Sequence, residues 1–172
     1  MEQEKTFVAA VLQVLTESHI QTSKVLLHKF IYFLDTQGIK TGFRFEPYTY
    51  GPYSFGLAST LGSMNFWDEI KEDHEKISII NLGKYPIDDS LKRTLKNKLS
   101  LFQSIVGDFS FSNLERIGTL LYCAQVLKTY GEDLTEASLK EEFKAWKKNR
   151  YQDAEIQDAY KKLKPYLSVT PQ

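Results

Sequence analysis

Six aromatic residues, Phe43, Phe45, Tyr48, Tyr50, Tyr53 and Phe55, fall within thirteen positions around a single Gly51-Pro52 pair. Phe43 and Phe45, then Tyr48 and Tyr50, alternate with the period of two expected of a short strand. Proline fixes φ and is tolerated in a first helical turn, so Gly51-Pro52 is expected to end that strand and open a helix. Just upstream, Leu26-Leu-His-Lys-Phe-Ile-Tyr-Phe-Leu34 reads as an apolar helix rich in aromatics.

The remaining pattern is helical. Residues 3–18 carry Phe7, Val8, Val11, Leu12, Val14 and Leu15 in an apolar stripe. Thr22 or Ser23 caps a second helix that reaches about Asp35 and stops at Gly38. A third helix follows the strand over about 53–62. Phe66-Trp-Asp-Glu-Ile70 and Ile77-Ser-Ile-Ile80 flank a polar run, the pattern of a β-hairpin or wing. Asp88 or Asp89 caps a fourth helix bearing Leu91, Leu95, Leu99, Phe102 and Ile105. Ser112-Asn-Leu-Glu115 fits a capping box for a fifth, which is apolar on most of its surface and ends before Gly131. Thr135 caps a sixth helix through Trp146, and a seventh spans roughly 153–164 before Pro165. The expected fold is mainly α: one compact domain over 1–172, with about seven helices, a short aromatic strand and a small β-hairpin. Its winged-helix-like N-terminal half (1–82) would pack against a helical half (87–167).

Charge and composition narrow the function classes. Lys+Arg and Asp+Glu both number 22, so the chain has no net charge to draw it toward nucleic acid or an anionic membrane. The single cysteine, Cys123, allows no internal disulfide and no cysteine-based zinc site; its apolar neighbours predict a buried, inert thiol. His19, His28 and His74 sit far apart in sequence, so neither a metal nor a cofactor is expected. The start Met-Glu-Gln-Glu-Lys is too acidic for a secretory signal, and no apolar run is long enough for a membrane span, which makes the cytoplasm the expected location.

Candidate chemistry is sparse. Ser54 lies in Gly51-Pro-Tyr-Ser-Phe-Gly56, which is not a nucleophile elbow, and reads as the cap of the third helix. Glu46 and Arg44 share the strand face opposite Phe43 and Phe45. Asp68, Glu69, Glu72, Asp73 and Glu75 read as a solvated loop, and Glu115 is accounted for by its capping box. For DNA binding, the helix before the hairpin would be the recognition helix, yet 53–62 has no lysine or arginine and the hairpin loop is acidic. The basic clusters around Lys92, Lys147 and Lys161 are interleaved with acids, the pattern of solvated faces. Tyrosines clustered as Tyr48, Tyr50 and Tyr53 fit either an interaction surface or a core with satisfied hydroxyls.

Leu27-His-Lys-Phe-Ile-Tyr-Phe-Leu34, followed by Tyr48-x-Tyr-Gly-Pro-Tyr-Ser54-x-x-Leu57, resembles the uncharacterised YwgA-like bacterial proteins and, more distantly, the Panacea (SocA-like) antitoxin domain. The chain departs from that pattern at His28 and Phe30, where the group carries Gln and Leu or similar residues. The resemblance implies a compact helical domain and, for Panacea-type members, an antitoxin that neutralises a toxin encoded beside it or acts as a proteolytic adaptor. It supplies no catalytic residues.

Three functions follow as expectations. The first is a non-enzymatic interaction module, antitoxin-like or defence-regulator-like, whose partner is a protein such as a cognate toxin. Its surface would be Tyr48, Tyr50, Tyr53 and Ser54 with the edge of the second helix, namely Lys24, His28 and Tyr32. The second is a winged-helix transcriptional regulator. The third is a small enzyme using Glu46, Ser54 or His28.

Overall fold

The computed structural model describes residues 1–167. Among them lie seven α-helices: α1 (Glu2–Glu17), α2 (Lys24–Thr36), α3 (Phe55–Phe66), α4 (Asp89–Val106), α5 (Phe111–Thr129), α6 (Glu136–Lys147) and α7 (Asp153–Leu163). Two antiparallel strand pairs complete the fold, β1 (Glu46–Tyr48) with β2 (Gly51–Tyr53), and β3 (Ile70–Asp73) with β4 (Lys76–Ile79). A 3-10 turn over Lys164–Tyr166 carries Pro165 after α7. No helix among the described residues is long and apolar enough to cross a membrane.

Local capping sets most helix starts. The side chains of Ser23, Ser54, Asp88 and Thr135 each accept a backbone N–H from the first turn of the helix that follows. Such a cap satisfies an N–H that has no partner within the helix and typically contributes about 1 kcal/mol. The expected capping box at Ser112 does not form: Ser110 caps α5 by accepting from the Asn113 N–H. Glu115 is thereby free for another role.

Helix α5 is the axis of the molecule. It packs against α2, α4, α6, α7 and β2, burying Leu114, Ile117, Leu120, Leu121, Ala124 and Leu127. Helix α2 is enclosed on nearly every side, with Leu26 through Leu34 buried without a break. Phe102 of α4 fills the space beside Phe30 and Phe33, with ring centroids 5.4 and 5.0 Å apart. Cys123 is buried here as expected, and burial pushes its thiol up to about 12, which keeps it protonated and unreactive.

The aromatic segment departs from its expected form. Phe43 and Phe45 point inward while Arg44 and Glu46 face solvent, so the alternation holds. The chain then reverses through Thr49-Tyr50, and Gly51-Pro52 pairs back on Tyr48 and Pro47 instead of opening a helix. Thr49 and Tyr50 keep negative φ, and Gly51 absorbs the reversal at φ +102°. Only glycine fits there: a Cβ would strain the backbone and lie 3.0 Å from Thr119 Oγ1 and 3.4 Å from Lys29 Nζ.

Candidate partner-binding site

The β1–β2 hairpin carries Tyr48, Tyr50 and Tyr53 of the residues that the sequence marked for binding, and buried side chains hold its backbone from below. Lys29, on the inner face of α2, donates from Nζ to Pro52 O at 2.9 Å. Lys147, the last residue of α6, donates to Thr49 O at 2.7 Å. His28 places Nδ1 2.9 Å from Lys24 O and Nε2 3.2 Å from Ser54 O. A neutral imidazole has one N–H, so it donates to only one of these carbonyls. Burial pulls its pKa below the ordinary histidine value, against the two carbonyl contacts, which raise it.

Lys147 also pairs with Glu115, which is fully buried on α5 and whose charge reaches Lys29. Lys147 Nζ lies 3.3 Å from Glu115 Oε2; Arg150 Nε and Tyr151 OH donate to Oε1 at 2.5 and 2.7 Å. Burial raises the pKa of this carboxyl. The Tyr151 hydroxyl, the Lys147 charge and Arg150 together outweigh that effect and hold it below the usual glutamate value. Lys29 is 3% exposed, and its pKa is lowered to about 8, first by burial and then by the charge of Lys147, with Glu115 opposing. Room for its stem comes from Gly118, where any Cβ would lie 2.9 Å from Lys29 Cδ.

Above this base the aromatics form two clusters. Tyr53 stacks on His28, with centroids 4.2 Å apart and planes 11° apart. Tyr48 and Phe55 meet Tyr53 at 5.2 and 5.0 Å, and Tyr50 meets Phe111 edge-on at 5.0 Å. Tyr48, Tyr50, Phe55 and Phe111 are 50, 51, 53 and 41% exposed, so the tyrosine cluster forms a surface at its tip and becomes core toward its base. Beside it opens a cleft of about 840 Å³, walled by His28, Lys29, Tyr50, Tyr53, Phe111 and Arg150, with Lys24, Glu72 and Glu75 along another wall.

The expected site residues divide accordingly. Tyr48 and Tyr50 are exposed, Tyr53 is half-buried, and Lys24 pairs with Glu72 at 2.9 Å on the cleft wall. Ser54 is wholly buried, its Oγ accepting the Leu57 N–H as the α3 cap. The expected exposed edge of α2 is corrected: His28 lies beneath Tyr53, and Tyr32 is buried between Phe45 and Tyr122 at 5.1 and 5.9 Å. Tyr32 therefore has no surface to offer a partner. Neither Ser54 nor His28 presents an accessible catalytic group, because both are buried, with Ser54 Oγ accepting the Leu57 N–H and each His28 ring nitrogen facing a backbone carbonyl.

Three further readings change. Glu69 leaves the expected solvated loop: it is buried, accepts from Tyr85 OH at 2.6 Å and pairs with Lys84. Glu115 is no cap, and Lys147 is no solvated base. Lys29, Glu115, Lys147, Arg150 and Phe111 were all missed as site residues. The available signal was a charged residue flanked by apolar positions in a mostly apolar helix, Lys29 before Phe30 and Ile31 in α2 and Glu115 after Leu114 in α5. No group of three or more His, Cys, Asp or Glu among the described residues is arranged to hold a metal ion.

Compared with protein-family models and with curated proteins, the chain matches none of them.

Proposed function

We propose that this chain is a non-enzymatic protein-interaction module, of antitoxin or defence-regulator type, that captures a partner protein on the β1–β2 hairpin. One observation carries the reading: Tyr48 and Tyr50 are exposed on a hairpin whose backbone is pinned by two buried lysines, and each meets an exposed phenylalanine at a neighbouring helix start, Phe55 of α3 and Phe111 of α5. Rigid, half-exposed aromatics lose little entropy on binding and bury a large area, which is why they dominate interface energetics. The distant resemblance of the tyrosine-bearing helix and the Gly51-Pro52 turn to the Panacea antitoxin domain supplies the partner class, a toxin encoded beside this chain.

DNA reading fits less well. Helix α3, which precedes the β3–β4 hairpin, has no lysine or arginine along its twelve residues, and phosphate contacts lean on those side chains.

The test is mass spectrometry of what co-purifies with the tagged chain from its native cells after nuclease treatment. The wild type should retain a stoichiometric protein that the Tyr50→Ala/Phe111→Ala variant loses while its far-UV circular dichroism stays native. Retention by the variant, or companionship of nucleic acid alone, contradicts the proposal.

A further inference from the structure

Lys147 and Arg150 share a single carboxylate, Glu115, and Lys29 feels its charge without pairing with it, so the base of the cleft carries more positive than negative charge. No second carboxylate pairs with these three cations among the described residues; they reach backbone carbonyls and the Trp146 and Tyr151 rings. Lys29 Nζ donates to Pro52 O alone, which leaves two of its three N–H bonds without a partner among the described residues. Arg150 spends its Nε on Glu115, and its side chain remains 45% exposed. Both residues line the cleft whose rim holds Tyr50 and Phe111. A cationic pocket of low polarity with unfilled donors favours one kind of occupant, an anion that arrives with apolar neighbours.

The far end of the cleft has the opposite character. Lys24 is neutralised by Glu72 at 2.9 Å, and Glu75 stands beside them exposed. Lys24 and Lys29 are five residues apart on α2, about 7.5 Å along its axis. A run of acids reaching from one end to the other would meet Glu75, so the pattern selects one acid and disfavours several.

Resting on the interaction-module reading, we infer that the cleft receives a single acidic side chain of the partner protein, its carboxylate seated between Lys29 and Arg150 and its apolar flanks on Tyr50 and Phe111. The carboxylate supplies the acceptors that Lys29 lacks, and the two aromatic rings exclude water from the pair.

The experiment is an NMR titration of the whole chain with three capped peptides, Ac-Phe-Glu-Phe-NH2, Ac-Phe-Gln-Phe-NH2 and Ac-Glu-Glu-Glu-NH2, and with propionate. The Phe-Glu-Phe peptide should shift amides of residues 28–29, 50, 51, 53 and 111 and bind about tenfold more tightly than either other peptide and than propionate, the size of one charge-assisted pair. Arg150→Gln should remove that advantage and leave the Gln peptide unchanged. Equal binding of the Glu and Gln peptides overturns the carboxylate assignment while leaving aromatic docking intact. Tighter binding of propionate alone assigns the site to a free small acid and overturns the partner origin. No binding by any probe, or shifts away from the cleft, overturns the inference outright. The comparisons among the four probes use the wild-type chain, so a poorly folding Arg150→Gln variant does not obscure them.

Discussion

Lys147 Nζ lies 2.7 Å from the carbonyl of Thr49, ninety-eight positions earlier in the chain, and 3.3 Å from the buried carboxylate of Glu115. One ammonium thus links the tip of the aromatic hairpin to the central helix. The hairpin has only three residues in each strand, and a lone two-stranded hairpin is marginal in water. Its fixed position comes from this anchor and from that of Lys29.

Removing the shared charge should loosen everything attached to it. Glu115→Gln leaves Lys147 and Arg150 without their common anion, and breaking a buried ion pair from one side costs about 3–5 kcal/mol. Urea unfolding should show a loss of that size. A loss below about 1 kcal/mol would mean that the cluster is solvated.

Acid should act through the same residue. The pKa of Glu115 is lower folded than unfolded, so its stabilisation is complete above the unfolded value near 4.5 and is lost as pH falls through the folded one. Wild type should therefore lose more stability than Glu115→Gln between pH 5 and pH 3, read from urea midpoints. Parallel losses would contradict the depressed pKa.

In alkali, Lys29 works in the other direction. Its pKa is about 8 in the fold against 10.5 unfolded, so between those values the unfolded chain holds a proton that the folded chain has released. Stability from this group therefore rises with pH across that window. Cys123, raised to about 12 from 9.0, acts oppositely, so the comparison is wild type against Lys29→Met, which share that cysteine. The stability of wild type relative to the variant should grow by about 2 kcal/mol between pH 8 and pH 10. A constant difference would place the Lys29 pKa near its ordinary value.

Gly118 and Lys29 should prove coupled. A methyl at 118 would lie 2.9 Å from Lys29 Cδ, in the middle of a stem held at its far end by Pro52 O. Overpacking of this kind costs roughly 1–3 kcal/mol, more than the helix gains from replacing glycine. In a Lys29→Met background the side chain is no longer tethered, so Gly118→Ala should cost at least about 1 kcal/mol less there. Additive effects would show that the contact relaxes freely.

The capped helix ends were legible in the sequence because capping involves residues three or four apart, as at Ser23, Ser54 and Thr135. The anchor was not, since Lys147, Arg150 and Tyr151 lie 32, 35 and 36 positions from Glu115. Ser112 and Glu115 match a local capping pattern, which concealed the long-range role. The hairpin was misread for a similar reason. Proline after glycine suits a helix start, and pairing with Pro47 and Tyr48, with the carbonyls of Thr49 and Pro52 each bonded to a distant lysine, holds that pair in a strand. Helical spacing placed Tyr32 on an edge of α2, but packing against Phe45 and α5 left no edge there.

The most direct measurement is amide hydrogen exchange on the chain alone and in complex with its co-purified partner. Slowed exchange confined to residues 48–55 and 109–113 is the predicted result, with α6 and α7 unchanged. Slowing centred on α6, α7 or the exposed Phe66-Trp67 pair, with the hairpin unaffected, would contradict the account.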